Sequence, residues 1–224
     1  MGKYKRRRRM KIERLIDLIL GMYKKHLNIE KKQEAILKYS LTVLLQSIIG
    51  YTLTLGFAWI FDIFWPALMI IITFSVFRSF SGGAHCSSPL NCELYSVISV
   101  NVLAFISKFI SLDYQYVMPI AISTMLFSFW AVAKYAPADT PAKPITDPNK
   151  RYRLKKYSLI LLCIWSTSIL LYFKTVHKGN MIILASSLGL LFQSFSITKL
   201  GYAFWKGSDE LLNIIQMKRG GRVC

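Results

Sequence analysis

Signals for disulfides, metal sites and processing are scarce in this sequence. It has only four cysteines and no secretory cysteine framework, so nothing predicts a disulfide-stabilised fold. It lacks a His-Glu-x-x-His pattern, and adjacent His85 and Cys86 have poor chelate spacing, so neither a metal site nor a cofactor is expected. No cleavable signal peptide, myristoylation signal or prenylation box is recognised, and no internal repeat is visible.

Acidic residues are also few. The chain has 11 Asp and Glu against 29 Lys and Arg, for a formal net charge of +18. Its hydrophobic content is 54% and its mean hydropathy is +0.39, with the apolar residues grouped in long blocks. Such blocks are typical of membrane-spanning helices and exclude an ordinary soluble domain. Lys108, near one end, is almost the only ionisable residue within them, which argues against an ion or solute transporter.

The blocks predict an all-α, polytopic membrane protein with about six transmembrane helices and an N-terminal amphipathic interfacial helix. Residues 1–38 form the basic N-terminal region, 39–204 the transmembrane domain and 205–224 a C-terminal tail. In this tail Ser208 is expected to cap a short helix that ends at Gly220 and Gly221. The expected spans are 39–61, 63–77, 94–110, 114–133, 157–173 and 181–204.

The N-terminal region begins with a basic run, in which seven of the nine residues from Lys3 to Lys11 are Lys or Arg. The following apolar residues recur with helical spacing and include Ile12, Ile16 and Ile19. We interpret this region as an anchor on anionic lipid, with a docking surface for an amphipathic partner helix as the alternative. Nucleic-acid binding is not expected, because the run lies next to the membrane surface.

The distribution of basic residues predicts the orientation. The segments predicted on one side of the membrane carry 26 Lys and Arg, and those on the other side carry three. The positive-inside rule places both termini, the loop 134–156 and the segment 78–92 in the cytoplasm of a multi-pass cell-membrane protein. In that reducing compartment Cys86, Cys92 and Cys224 are expected to be free thiols, whereas Cys163 is interpreted as a packing residue within a span.

The segment 78–92 combines Arg78, a glycine pair, His85 and Cys92 in fifteen residues. A histidine that deprotonates a nearby thiol is the minimum requirement for cysteine nucleophilic catalysis. On one unbroken helix these two residues would lie about 10 Å apart along the axis, too far for proton transfer. Because Pro89 cannot continue a preceding helix, we predict a bend there that brings them together.

Two sequence blocks in this chain resemble a known family. They are Arg78-x-x-x-Gly82-Gly83-Ala84-His85-x-Ser87-Ser88-x-x-x-Cys92 and the later block Tyr135-Ala-Pro-Ala-Asp-Thr-Pro-Ala-Lys143-Pro-Ile145. Together with the basic N-terminal region and six apolar blocks, they resemble the AgrB (accessory gene regulator B) family of membrane cysteine endopeptidases. The resemblance implies that His85 is the catalytic histidine and Cys92 the nucleophile, while Cys86 stands where the family often has alanine. Arg78 and Lys143 are expected to bind the substrate. They would contact either its acidic peptide tail or the oxyanion that develops during the reaction.

The resemblance also implies a reaction and its partners. The family cleaves a precursor peptide at its C-terminal side through a thioester and forms a thiolactone autoinducer for quorum sensing. The expected partners are that precursor, an amphipathic helix with an acidic C-terminal tail, and anionic membrane lipids; a homodimer is left open. The alternative is a small membrane transporter or a peptide-export scaffold without proteolytic activity.

Overall fold

The structure is a computed structural model of the 224-residue chain, and it describes residues 16–23, 30–84, 86, 89–110, 113–139, 145–176 and 180–220. Within these ranges the chain is helical apart from short connections. The one strand-like pairing found there is an isolated bridge between Gly82 and Ala138. The prediction of an all-α protein is therefore confirmed.

Seven long helices follow one another: α1 Lys31–Ile60, α2 Phe64–Ser81, α3 Pro89–Phe109, α4 Tyr114–Tyr135, α5 Pro148–Val176, α6 Met181–Ser196 and α7 Lys199–Gly220. Among the described residues, five stretches are long and apolar enough to cross a membrane, namely Gln33–Ile60, Phe64–Ser81, Asn91–Phe109, Tyr114–Tyr135 and Pro148–Val176. The pair α6 and α7 meets the same test only together, bent by 88°. The prediction of a multi-pass protein with about six spans is confirmed.

The sixth predicted span does not continue straight to Phe204. The helix stops at Ser196, and Thr198 caps the next one, because its Oγ1 accepts a hydrogen bond from the Gly201 amide at 3.0 Å. Gly201 permits this sharp corner, since a Cβ there would lie 2.1 Å from the carbonyl oxygen of Phe195. The prediction that Ser208 caps the last helix was wrong: Ser208 lies inside α7, which is helical through Gly220, the last described residue.

The predicted break between the spans 39–61 and 63–77, at Asp62, is confirmed. α1 ends at Ile60 and α2 begins at Phe64, and the amide of Ile63 closes the turn by donating to the carbonyl oxygen of Ala58 at 2.8 Å. Asp62 has a φ of 53°, a left-handed conformation that Asp tolerates in turns. Its carboxylate pairs with Lys108 near the end of α3.

The centre of the bundle is α6, which packs most extensively against α2 and α4. Gly189 lets α2 approach closely, because a Cβ there would lie 3.1 Å from Ile70 Cα. Small residues at helix contacts are typical of membrane bundles, where packing replaces the hydrophobic driving force. The fully buried alanines are Ala58, Ala67, Ala104, Ala121, Ala131 and Ala185. Large apolar side chains face outward, as lipid contact requires; they include Ile48, Trp59, Ile98, Leu126, Ile164 and Leu171.

Within the predicted N-terminal region 1–38, residues 16–23 are helical as predicted, whereas residues 31–38 are already part of α1, which begins before the predicted start of the first span at residue 39. Ile16 and Leu20 are buried, whereas Met22 and Tyr23 of the predicted apolar face are exposed. Asp17 pairs with Lys38 of α1 at 2.8 Å. The basic run from Lys3 to Lys11 and Ile12 lie outside the described residues.

Candidate active site

Three connections between helices meet at one end of the bundle. They are residues 82–84 after α2, residues 136–139 after α4 and the corner at 197–198 after α6. We call this the site end. The turn at 61–63 and the end of α3, joined through Asp62 and Lys108, form the opposite end, which we call the turn end. The connections that the charge distribution assigns to one membrane side are therefore neighbours in space.

Gly82 and Ala138 join the two sequence blocks of the resemblance. The amide of Gly83 donates to the carbonyl oxygen of Ala138 at 3.1 Å, and the amide of Ala138 donates to that of Ser81 at 2.8 Å. Gly82 has φ 70° and ψ −150°, a region that is essentially restricted to glycine. A Cβ on Gly82 would lie 2.0 Å from the Ala138 oxygen. The position accepts no side chain.

Helix α6 holds the same segment from another side. The side-chain amide of Gln193 donates to Ser81 Oγ at 2.9 Å and to the carbonyl oxygen of Gly82 at 2.7 Å. The amide of Ala84 donates to the carbonyl oxygen of Ser196 at 3.2 Å. Gln193 is only 1% exposed, so these bonds form away from solvent. The chain after α2 is consequently fixed by two other parts of the protein.

Arg78 lies in the last turn of α2 and folds back over this segment. Its Nη2 donates to the carbonyl oxygen of Ala84, and its guanidinium lies 5.3 Å from the centre of the Phe74 ring. A Cβ on Gly83 would lie 2.9 Å from Arg78 Nη1, so this glycine also permits a close approach. The positive charge interacts favourably with ionised thiols at Cys92 and Cys86.

The two thiols of the segment are neighbours. Cys92 is in the first turn of α3, and Cys86 lies in the connection before it. A hydrogen bond to Cys92 raises the pKa of the Cys86 thiol far above its ordinary value, and burial raises it further. Cys86 therefore keeps its proton and donates it toward Cys92 sulfur. Of the two thiols, Cys86 is therefore the one in which the thiolate form is disfavoured.

Two carboxylates also reach the thiols. The Asp209 carboxylate of α7 contributes to the raised pKa of Cys86, and Asp209 Oδ1 accepts a hydrogen bond from Asn91 Nδ2 at 2.7 Å. Glu93 follows Cys92 directly and interacts with it electrostatically, but its side chain faces α1, where a Cβ on Gly50 would lie 3.1 Å from Glu93 Cγ. Each thiol thus interacts with one carboxylate, Cys86 with Asp209 and Cys92 with Glu93.

The structure brings together part of the predicted set. Arg78 and Cys92 are close in space, whereas His85 and Lys143 lie outside the described residues. Cys86, Cys92 and Cys163 form no disulfide, and Cys163 is exposed on α5 rather than packed inside. Sequence reasoning missed Gln193 and Asp209. A side-chain amide within an apolar span was the available signal for Gln193, because such a group is costly in lipid unless it has a partner.

The chain between the two helices is not one helix with a bend. α2 ends at Ser81, residues 82–84 and 86 lie outside helices, and α3 begins at Pro89, so no single helix runs from α2 to Cys92. Proline at the first helical position suits the start of α3, since its missing N–H would lack a partner there. The break predicted at Pro89 therefore begins seven residues earlier, at Gly82.

An open groove of about 360 Å³ lies beside Ala138, on the surface of the site end. Its charged residues are Asp139, Arg151 and Lys199, and Arg151 approaches Asp139 at 3.4 Å. Its remaining lining comes from Tyr135, Pro137, Ala138, Ile197 and Tyr202. The Tyr202 hydroxyl donates to the carbonyl oxygen of Asp139 at 2.8 Å, which attaches α7 to the loop after α4.

Fold and site together define a multi-pass helical membrane protein with a thiol pair and an arginine at the junction of three connections. The sequence pattern of the accessory gene regulator B (AgrB) family matches residues 16–197. The chain belongs to this family, which acts in quorum-sensing accessory gene regulation.

Named relatives agree with this assignment. The chain is 30% identical over 210 residues to a putative AgrB-like protein 2 of Clostridium perfringens, covering 90% of this chain and 98% of the relative. It is 26% identical over 170 residues to a putative AgrB-like protein of Listeria innocua, covering 75% and 78%. It is 29% identical over 114 residues to accessory gene regulator protein B of Staphylococcus intermedius, covering 51% and 58%. No solved structure matches the chain.

Proposed function

We propose that this protein is a membrane cysteine endopeptidase that cleaves a quorum-sensing precursor peptide at its C-terminal side and promotes closure of a thiolactone ring. The observation that carries this proposal is the thiol pair. Cys86 retains its proton and hydrogen-bonds to Cys92, while the Arg78 guanidinium favours a negative charge on Cys92. A buried structural cysteine needs neither neighbour, whereas a nucleophilic thiolate gains from both.

In the first step His85 takes the proton of Cys92, and the thiolate attacks a peptide carbonyl carbon of the precursor. The carbon–nitrogen bond breaks, the imidazolium returns its proton to the leaving amine, and the C-terminal fragment departs. The N-terminal fragment remains on Cys92 as a thioester. Arg78 is near enough to the thiols to stabilise the oxyanion that develops during attack.

In the second step an internal cysteine of the precursor attacks the thioester carbonyl. A new thioester closes the ring as Cys92 leaves and recovers its proton, so the exchange is nearly neutral in bond energy. Water would divert the intermediate to a linear acid. Placing the thioester at the start of a membrane-spanning helix limits the access of water.

Charge supports the choice of substrate. An acidic peptide tail would meet Arg78 and Lys143, and the groove beside Ala138 adds Arg151 and Lys199. The basic N-terminal region would hold both anionic lipid and the amphipathic part of the precursor close to the site. A short amphipathic peptide that carries an internal cysteine and an acidic end is therefore the expected partner.

The proposal also requires the site end to face the cytoplasm, where the precursor is made. In intact cells, an impermeant thiol reagent should miss Cys86, Cys92 and Cys224. It should reach a cysteine introduced at Asp62 or Lys178. Labelling of Cys92 together with protection of position 62 would reverse the orientation and place the substrate outside the cell.

The decisive experiment compares the two thiols. Cys92→Ala and His85→Ala should each abolish precursor cleavage, whereas Cys86→Ala should keep most of it. After acid quenching, mass spectrometry should find the N-terminal precursor fragment on the Cys92-containing peptide. Because the raised pKa keeps Cys86 protonated, iodoacetamide at neutral pH should modify Cys92 faster than Cys86.

An adduct on Cys86, with Cys92→Ala still active, would reassign the nucleophile. Unimpaired processing by both single variants would exclude a cysteine peptidase and favour an export scaffold. Membrane insertion should be equal in all variants, since none of the substitutions removes a span, and this serves as the common control.

A further inference from the structure

The two thiols of the site end are in direct contact, although the proposed reaction forms a bond to only one of them. Cys86 and Cys92 are both partly exposed, and they form no disulfide with each other. The Cys86 thiol is hydrogen-bonded to Cys92, so the two sulfur atoms are neighbours. A pair of accessible thiols in contact can do chemistry that a single nucleophile cannot.

The backbone around the pair allows the two sulfur atoms to join. Cys86 lies in the connection between α2 and α3, outside any helix, whereas Cys92 is in the first turn of α3. Hydrogen-bonded sulfurs need only a small further approach to reach the S–S bond length of about 2 Å. Cys86 can make this approach because no helical hydrogen-bond ladder fixes its backbone.

The surrounding charges give the two thiols different reactivity. Arg78 interacts favourably with ionised sulfur at both positions, and more strongly at Cys92 than at Cys86. The hydrogen bond from Cys86 also favours negative charge on Cys92, while the Glu93 carboxylate opposes it. That hydrogen bond raises the pKa of the Cys86 thiol, and burial and Asp209 raise it further. Because peroxides react with thiolates, Cys92 is the thiol that is oxidised first.

We propose that Cys86 and Cys92 are a site of reversible oxidation by hydroperoxides, in which Cys92 is oxidised and Cys86 closes a disulfide with it. In the first step the ionised Cys92 sulfur attacks the terminal oxygen of the hydroperoxide. A sulfur–oxygen bond forms and the oxygen–oxygen bond breaks. The alkoxide that leaves takes up the proton that Cys92 had released, which gives an alcohol, or water from hydrogen peroxide. Cys92 is then a sulfenic acid.

In the second step the Cys86 sulfur attacks the Cys92 sulfur. The sulfur–sulfur bond forms, the sulfur–oxygen bond breaks, and the leaving hydroxide combines with the Cys86 proton to form water. The pair of thiols has then lost two electrons and two protons, and the hydroperoxide has accepted them. A dithiol reductant restores both thiols through a mixed disulfide.

This oxidation would make the proposed activity sensitive to peroxides and would also protect the nucleophile. While Cys92 is in a disulfide, it cannot attack a peptide carbonyl carbon. A sulfenic acid without a neighbouring thiol is oxidised further to sulfinic or sulfonic acid, which thiol reductants do not reverse. The effect on processing rests on the proposed function, whereas formation of the disulfide does not.

The test follows both thiols in the full chain in membranes, without precursor. The reference protein carries Cys163→Ala and Cys224→Ala, so that only the pair remains. After treatment with hydrogen peroxide, remaining thiols are blocked with N-ethylmaleimide, and the tryptic peptide from Ser79 to Lys108, which contains both cysteines, is analysed by mass spectrometry. This peptide should contain an internal disulfide and no maleimide, and dithiothreitol should restore both thiols.

Three variants of the reference protein separate the roles of the two thiols. In Cys86→Ala, Cys92 should become a sulfinic acid, and dithiothreitol should recover less than about a tenth of the thiol that the reference protein recovers. In Cys92→Ala, Cys86 should stay protonated and react with N-ethylmaleimide after the same peroxide treatment. The matched control is Cys86→Ala with Cys163 retained. It should behave like Cys86→Ala, because Cys163 is exposed on α5.

Three results would overturn the proposal. The first is sulfinic acid on Cys92 that forms as readily in the reference protein as in Cys86→Ala. The second is a disulfide that forms only between two copies of the chain, seen as a dimer on a non-reducing gel. The third is oxidation of Cys86 in Cys92→Ala as fast as that of the pair, which would contradict the order of the two steps.

A parallel precursor-cleavage assay separates this inference from the proposed function. If the disulfide forms and reverses but cleavage does not need Cys92, the oxidation site stands and the endopeptidase proposal fails. If cleavage needs Cys92 while the reference protein forms no internal disulfide, the endopeptidase stands and this inference fails. If both are right, peroxide should stop cleavage, and dithiothreitol should restore it in the reference protein but not in Cys86→Ala.

Discussion

The two ends of the helical bundle are held by different kinds of interaction. At the turn end, the Asp62 side chain is 96% exposed and pairs with Lys108, a contact that water and salt screen. At the site end, the Gln193 amide donates to the backbone of residues 82–84, and the carbonyl oxygens of Ser196 and Ala138 accept from it. A weak, solvent-exposed ion pair is sufficient at the turn end, where the chain only has to turn. A backbone held by both α6 and the loop after α4 is what a site requires for reproducible geometry.

The largest expected effect comes from Gly82→Ala at the site end. The added Cβ would lie 2.0 Å from the Ala138 oxygen in a conformation that non-glycine residues avoid. Such strain is about 1–3 kcal/mol before the clash is counted, so precursor processing should fall roughly tenfold to hundredfold. Single-turnover cleavage in membranes measures it.

Gly56→Ala in α1 is the control for this substitution. Nothing lies within 4 Å of a Cβ there, so the variant should process precursor at the parental rate. If both glycine variants behaved alike, the difference between close-packed and open glycines would have no functional meaning.

A smaller loss is expected for Gln193→Leu. The substitution leaves the Gly82 carbonyl oxygen and Ser81 Oγ without this amide, and a buried polar group without its partner costs about 1–3 kcal/mol. Processing should fall about tenfold, with thermal unfolding in detergent shifted downward. Ser168 lies on the exposed face of α5, and its hydroxyl donates to the Ile164 carbonyl oxygen of the same helix. Ser168→Ala should therefore change neither the processing rate nor thermal unfolding. An unaffected Gln193→Leu would show that α6 does not position the segment.

Pro89→Ala should have less effect than the sequence alone predicts. The helix before the segment already stops at Ser81, and alanine is accepted at the first position of α3. The processing rate should stay within about twofold of the parent, since neither helix gains a reason to extend. A loss of processing rate of tenfold or more would show that Pro89 is the main cause of the break between α2 and α3.

The smallest effect is expected at the turn end. Lys108→Ala removes an exposed ion pair worth less than about 1 kcal/mol, so thermal unfolding should shift little and processing should not change. A strong loss of activity would mean that the two ends are coupled through α2 and α3.

The spans and the position of Arg78 beside Cys92 follow from the sequence, because apolar length and charge are local properties. The corner at Thr198 does not, since the apolar run 181–204 passes through it without interruption. Hydropathy reflects only the composition of a segment and does not show where the helix axis changes direction. The cap at Thr198 and the close approach at Gly201 are local signals for a corner, and they lie within that run.

The partners of the site could not be predicted in the same way. Gln193 binds a carbonyl 111 residues earlier in the chain, and Asp209 meets Asn91 across 118 residues. Pattern and spacing describe neighbours along a helix or strand, whereas these pairs depend on how helices pack. The second block, Tyr135 to Ile145, contributes to the site through the pairing of Ala138 with Gly82, which lies 56 residues earlier in the chain.

The attachment of residues 82–84 to α6 has a consequence for the order of biosynthesis. Gly82 leaves the ribosome long before Gln193 and Ser196, and at about 5–20 residues per second this interval is roughly 5 to 20 s. During that time α2 and α3 can enter the membrane, but the segment between them lacks the amide and carbonyl that fix it. The nascent chain therefore carries Cys92, the proposed nucleophile, well before the backbone of residues 82–84 is fixed, and the proposed activity would begin only once the last span is in place.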